Sequence, residues 1–169
     1  MKLILKILGG LTVVALVLVL GVFTIARFND GPMEIISGGA FTSGENHVGA
    51  EPDWSFVRDI ETVEFQLLDP ERSRTTWIME YEGRIFIPSG YMNSLMGKIW
   101  KHWPLEAEED GRILLRVNGT VYKRQLVRVM EGDFLVPVLA EISRKYLGVD
   151  IPASEVASGS LWLFELKAR

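Results

Sequence analysis

Apolar side chains fall along this chain in three patterns, each predicting a different kind of element. The first is an unbroken run. From Ile7 to Ala26 there are 20 positions without a charged residue. At 1.5 Å per residue a helix of that length spans about 30 Å, the hydrocarbon thickness of a bilayer. A helix also satisfies its own backbone groups in lipid. Lys2 and Lys6 precede the run, and Arg27 is followed by mostly acidic residues up to Arg58. That imbalance predicts a single-pass anchor with its N-terminus in the cytoplasm and the remainder outside, in a periplasm or at the cell exterior. The rival is a cleaved signal peptide, whose apolar region is about 7–15 residues and ends in a small-x-small site. The longer run here, with only Thr24-Ile25-Ala26 at its end, favours the uncleaved anchor.

The second pattern has a period of two. Thr62–Leu68 places Val63, Phe65 and Leu67 on one face of a strand. Asp69-Pro70 ends it. Thr75–Tyr81 groups Trp77, Met79 and Tyr81, and Glu82-Gly83 turns the chain back through Arg84–Pro88 as a hairpin. Arg112–Val117 and Thr120–Val129 flank Asn118-Gly119, the pair that a type I′ turn requires. Leu161–Leu166 is a last strand. Six strands in a unit this small favour a closed or partly closed barrel, which removes exposed sheet edges.

The third pattern is helical. Asn93–Trp103 carries Leu95, Ile99 and Trp103 four apart, with Pro104 as a stop. Val136–Leu147 carries Val138, Leu139, Ile142 and Tyr146 on one face, with Pro137 in its first turn and Gly148 as a C-terminal cap. The expected architecture is mainly β (α+β): residues 1–27 as membrane anchor, 28–58 as tether and packed loops, and 59–169 as a six-stranded barrel with two short helices.

Composition narrows the chemistry. A chain of 169 residues suits one domain with an appendage. It has no cysteine, which excludes disulfides, thiolate metal sites and a Cys nucleophile. A net charge of -4 gives no support for nucleic acid as a partner. His47 and His102 share no metal-ligand spacing, so no metal site is expected. Glu106–Asp110 reads as a solvated acidic turn, and Gly38–Gly44 as a surface turn rather than an anion cradle. Asn118-Gly119-Thr120 fits a glycosylation sequon, but turn geometry explains it better.

Two clusters could bind a ligand. Arg72-Ser73-Arg74-Thr75-Thr76 puts two guanidinium groups and three hydroxyls at a strand start, the donor set that grips a phosphate or carboxylate. Gly97–Trp103 interleaves Lys98, Lys101 and His102 with Trp100 and Trp103, a pairing of charge and flat rings that suits a planar anion. Each has a plainer reading, as a solvated strand edge and as core tryptophans with lysines outside.

The order of these residues resembles the flavin-binding split-barrel superfamily that contains pyridoxamine phosphate oxidase, and within it the deazaflavin-dependent nitroreductases. That branch has a basic Ser-Gly loop and Arg-Thr before a strand, where Arg72–Thr76 stand here. A small-residue turn follows at Pro88-Ser89-Gly90, then Lys98 and Trp100, a hairpin, a helix ending in Tyr and a final apolar strand. The resemblance covers about 95 residues and implies a split barrel. It implies that Arg72, Ser73, Arg74, Thr75, Thr76, Ser89, Lys98 and Trp100 bind FMN or a deazaflavin. It also implies oxidoreductase chemistry and a homodimer. The glycines flanking the family's loop are missing, and Trp103 stands where the family has an asparagine. These departures leave a second reading open: a non-catalytic envelope module that has lost its cofactor and binds another small molecule or a protein.

Overall fold

The computed structural model describes residues 2–95, 97 and 101–169. The apolar run forms one helix, α1 (Lys2–Arg27), longer than the charge-free stretch because Lys2, Lys6 and Arg27 continue its turns. It is long and apolar enough to cross a membrane. Its side chains are exposed along its length except at Ala26. Thr12 and Thr24 return their hydroxyls to the carbonyls of Leu8 and Leu20, so neither presents a free polar group.

The rest is one curled sheet. Its strands are β1 (Glu45–Asn46), β2 (Thr62–Leu68), β3 (Glu71–Trp77), β4 (Met79–Tyr81), β5 (Arg84–Ser89), β6 (Arg112–Val117), β7 (Thr120–Val129) and β8 (Trp162–Ala168). They lie in the order β3-β2-β6-β7-β8-β5-β4, antiparallel throughout, with β1 added in parallel to β7. The two outermost strands, β3 and β4, are joined by Ile78 alone. Two sheet edges one residue apart in sequence must meet in space, so the sheet closes on itself as a half-barrel. This is the split barrel expected, with eight strands where the pattern suggests six. One addition is the two-residue β1.

The other addition corrects the strand expected over Thr75–Tyr81. The chain breaks at Ile78, β3 pairing with β2 and β4 with β5. The Arg72–Thr76 cluster therefore lies within a strand, not ahead of one. Both hairpin turns form as expected. Asn118 and Gly119 take φ of 49° and 81°, and Glu82 and Gly83 take 50° and 75°.

The sheet has two cores. Val63, Phe65, Leu67, Ile113, Leu115, Phe164 and Leu166 fill the barrel interior with Trp54 and Trp103. Met79, Phe86, Leu161 and Leu163 face outward, under α3 (Leu135–Ile142). β5 and β8 are thus buried on both faces, which explains their continuous apolar runs, whereas β2 alternates. The acidic run is not a loose turn but part of α2 (Trp103–Glu109), which plugs one barrel end with Trp103 edge-on to Phe65 at 5.0 Å. Pro104 starts that helix instead of stopping the previous one, because φ is preset and no N–H is needed in a first turn. α3 continues into a π-turn, Ser143–Leu147, capped by Gly148 at φ 68°. A short α4 (Ser154–Ala157) precedes β8.

The segment after α1 is fastened to the sheet from its first residues. Gly38 bridges Ser73 on the β3 edge. A methyl group on Gly38 would lie 1.8 Å from the Gly31 carbonyl oxygen, and one on Gly39 2.5 Å from that of Arg27. Glycine is needed here because two backbones touch. Arg116 of β6 holds the segment by charge, bonding Glu64 at 2.6 Å and Asp30 at 3.0 Å with Phe41 stacked 4.1 Å below.

Replacing Arg116 by Met leaves both carboxylates without their cation. We expect a loss of about 2–3 kcal/mol in urea unfolding, the scale of hydrogen bonds to charged groups. Asp30 also sets a pH dependence. Burial acts to raise its pKa, but hydrogen bonds from Ser43, Thr42 and Arg116 outweigh it and hold the carboxyl well below its ordinary value. A carboxyl depressed by folding stabilises fully above its unfolded pKa, and that contribution is lost as pH falls through the folded value. In thermal melts, Asp30→Asn should therefore flatten the fall in Tm below about pH 4.

Candidate functional site

A cleft of about 860 Å³ lies beside the seam where β3 meets β4. Thr62, Thr75, Thr76 and Trp77 form one wall. Gly90, Tyr91, Asn93, Ser94 and Lys101 form another. Ile142, Leu147, Ile151, Pro152 and Leu161 supply the apolar floor, and Glu34 and Ile35 complete the lining. Its volume and mixed lining suit a small-molecule site.

The seam shapes this cleft. A strand that stops at Ile78 leaves a backbone N–H and C=O without ladder partners, and a buried pair of that kind must be satisfied. Tyr146 and Lys145, from the π-turn, do so. The Ile78 N–H donates to the Tyr146 hydroxyl at 3.0 Å. That hydroxyl lies 2.8 Å from the Ile78 carbonyl and 2.7 Å from that of Glu61, with one proton for the two. Lys145 Nζ donates to the Ile78 and Val57 carbonyls, both at 2.9 Å. Burial pushes the Tyr146 phenol up to about 12, against the lowering effect of the Ile78 bond, so it stays neutral. Trp77 lies flat on its ring at 4.5 Å and 4°, and is 38% exposed toward the cleft.

Lys101 is the one cation lining the cleft among the described residues, and three carboxylates, Glu34, Asp150 and Glu155, line it as well. Its Nζ donates to the Gly90 carbonyl at 2.9 Å, and burial holds its pKa below the usual lysine range.

The residues expected to bind a flavin separate in this geometry. Strand register places Arg72, Arg74 and Thr76 opposite Leu67, Phe65 and Val63, on the core-facing side of β3. Ser73, Thr75 and Trp77 lie on the other face. Arg74 turns toward α2, with Nη2 3.6 Å from Glu106. Burial lowers its pKa against the opposing pull of Glu106. Ser73 is buried and donates to the Gly39 carbonyl at 2.6 Å. Thr75 and Thr76 line the cleft, whereas Arg72, Ser73 and Arg74 do not. Ser89 is buried between two cleft residues, its hydroxyl 3.4 Å from Met92 sulfur. Lys98 and Trp100 lie outside the described residues. The phosphate cradle expected at Arg72–Thr76 thus does not converge as a unit.

Sequence reasoning missed the pairing of Tyr146 with Ile78 and the place of Glu34 and Ile35 in the cleft lining. The signal for the first was present as a Lys-Tyr pair at the end of an apolar helix face.

Comparison with known proteins adds little. No family model matches the chain, and no curated protein matches it. Among solved structures the fold is similar to that of the conserved hypothetical protein Rv2991 from Mycobacterium tuberculosis. The TM-score is 0.49 and the identity 15%, over 77% of this chain and 85% of that one.

Tyr146→Phe removes the seam hydroxyl and leaves buried backbone groups short of a partner. The expected cost is about 1–3 kcal/mol in chemical denaturation. A stability equal to wild type would show that the seam holds without it.

Proposed function

We propose that this chain is a membrane-anchored split-barrel protein that binds a small molecule in the cleft beside the seam. The observation that carries this reading is the cleft itself: an apolar floor, a stacked Trp77–Tyr146 wall and a few polar groups at Thr75, Thr76, Ser94 and Lys101. Such a lining buries an elongated or flat ligand and fixes its orientation with few hydrogen bonds. The anchor is α1, with the N-terminus cytoplasmic and the barrel outside, on the charge imbalance around the apolar run. In this reading the barrel serves as a non-catalytic ligand-binding module of the envelope.

A second reading, supported by Thr75 and Thr76 on the cleft wall, is that the ligand is FMN or a deazaflavin. Thr75 and Lys101 would then hold the cofactor, which would supply the redox chemistry of an oxidoreductase. Against it stand the engagement of Arg74 with Glu106 and of Ser73 with Gly39.

Three measurements test these readings. Denaturing the purified full chain should release one small molecule that is lost from Trp77→Ala; no released molecule from either would count against the ligand site. Titrating FMN or a deazaflavin should raise the Tm only if the second reading holds, since a ligand of the native state must stabilise it. A protease added outside intact cells should cleave the barrel and spare the N-terminus; the reverse pattern would invert the topology.

A further inference from the structure

The cleft is lined by Glu34 and Ile35, a few residues along the chain from the end of α1, and it carries exposed apolar side chains. Gly39 sits directly against the helix end, its N–H donating to the Asn29 carbonyl at 3.2 Å. Ile35 is four residues from Gly39, so it lies at most roughly 15 Å from that end at 3.3–3.6 Å per residue. With the 20-residue apolar run filling a bilayer core, Arg27 stands at the headgroups. Glu34 and Ile35, on the cleft lining, are then within reach of the membrane surface. Ile35 is 85% exposed and Tyr91 77% exposed, and both line the cleft. Phe28, the first residue past α1, is also exposed. Large apolar side chains grouped at the mouth of an apolar cleft mark a contact surface.

The polar groups point to the kind of headgroup. Among the described residues an anionic head would meet Glu34, Asp150 and Glu155, with Lys101 as the one cation of the lining. A zwitterionic head suits the set: its phosphate toward Lys101 and its ammonium toward the carboxylates.

We propose that the cleft is loaded from the bilayer and holds an acyl chain of a zwitterionic phospholipid of the ethanolamine type, its head lying across the rim of Lys101, Glu34, Asp150 and Glu155. This rests on the anchored, ligand-binding reading above and names its ligand class. The chain would lie over Ile142, Leu147, Ile151 and Leu161, against Trp77.

The test uses the full chain in phosphatidylcholine vesicles containing phosphatidylethanolamine brominated midway along its acyl chains. Bromine quenches tryptophan on contact, and no tryptophan lies in α1, so quenching reports on the barrel. Trp77 emission should be quenched, and the quenched component should vanish in Trp77→Phe. Gly90→Phe gives a second variant that keeps Trp77. Gly90 lines the cleft, and a Cβ added there meets no atom within 4 Å, so the position has room for the start of a side chain that would occupy the cleft. It too should abolish the quenching. Brominated phosphatidylglycerol should quench less, and equal quenching by both lipids would overturn the headgroup assignment. Quenching that survives in both variants, or none while the protein floats with the vesicles, would overturn the proposal and leave the anchor standing. Failure to float would overturn the anchor and the lipid source together.

Discussion

The split barrel depends on how one residue's backbone is satisfied. Ile78 separates the two outermost strands of the sheet, and its N–H and C=O have no ladder to join. In a buried position that would cost what an unmade hydrogen bond costs. Tyr146 and Lys145 reach it from the far side of the second core, and the wide π-turn lets two consecutive side chains converge on one carbonyl. The same contact lays Trp77 on Tyr146 and so builds a wall of the cleft. Closure of the barrel and formation of the cleft are thus one event.

Charge is used mainly to fasten parts together. Arg124 is nearly inaccessible, bonded to Glu51 and lying 4.7 Å from the Trp54 ring. Arg84 clasps Glu165 with two bonds of 2.8 and 2.7 Å and covers Phe134 at 3.9 Å. Arg128 pairs with Glu108 on α2 and lies over Trp162. Each guanidinium presents an apolar flat face to an aromatic ring and its edge to a carboxylate. Arg74, which reads in sequence as a phosphate donor, lies instead on the inward face of an edge strand with Nη2 3.6 Å from Glu106. An inward charge on such a strand also discourages pairing with another chain.

Much of the fold was legible because it follows from local periodicity. The face of Val63, Phe65 and Leu67 and the turn at Asn118-Gly119 are set by neighbours in sequence, and the structure has both. What was not legible depends on partners far along the chain. The break at Ile78 has no composition signal, since Trp77, Ile78 and Met79 are all good strand residues. It is imposed by curling of the sheet and by Tyr146, 68 residues later. Pro104 reads equally as an end or a beginning until Trp103 is seen to need the barrel interior. For the candidate site, the sequence marked Thr75, Thr76 and Lys101 as polar groups near a strand and a helix. It could not say that Arg72 and Arg74 share a face with the core, because that depends on a register set by the β2 hairpin.

The glycine contact between the helix exit and the β3 edge has a mechanical consequence. Most anchored domains hang from a flexible leash and tumble above their membrane. Here backbone rests on backbone with no side chain between, so the end of the apolar helix is held against the edge of the barrel rather than on a free leash. The azimuth of that helix is thereby tied to the azimuth of the cleft.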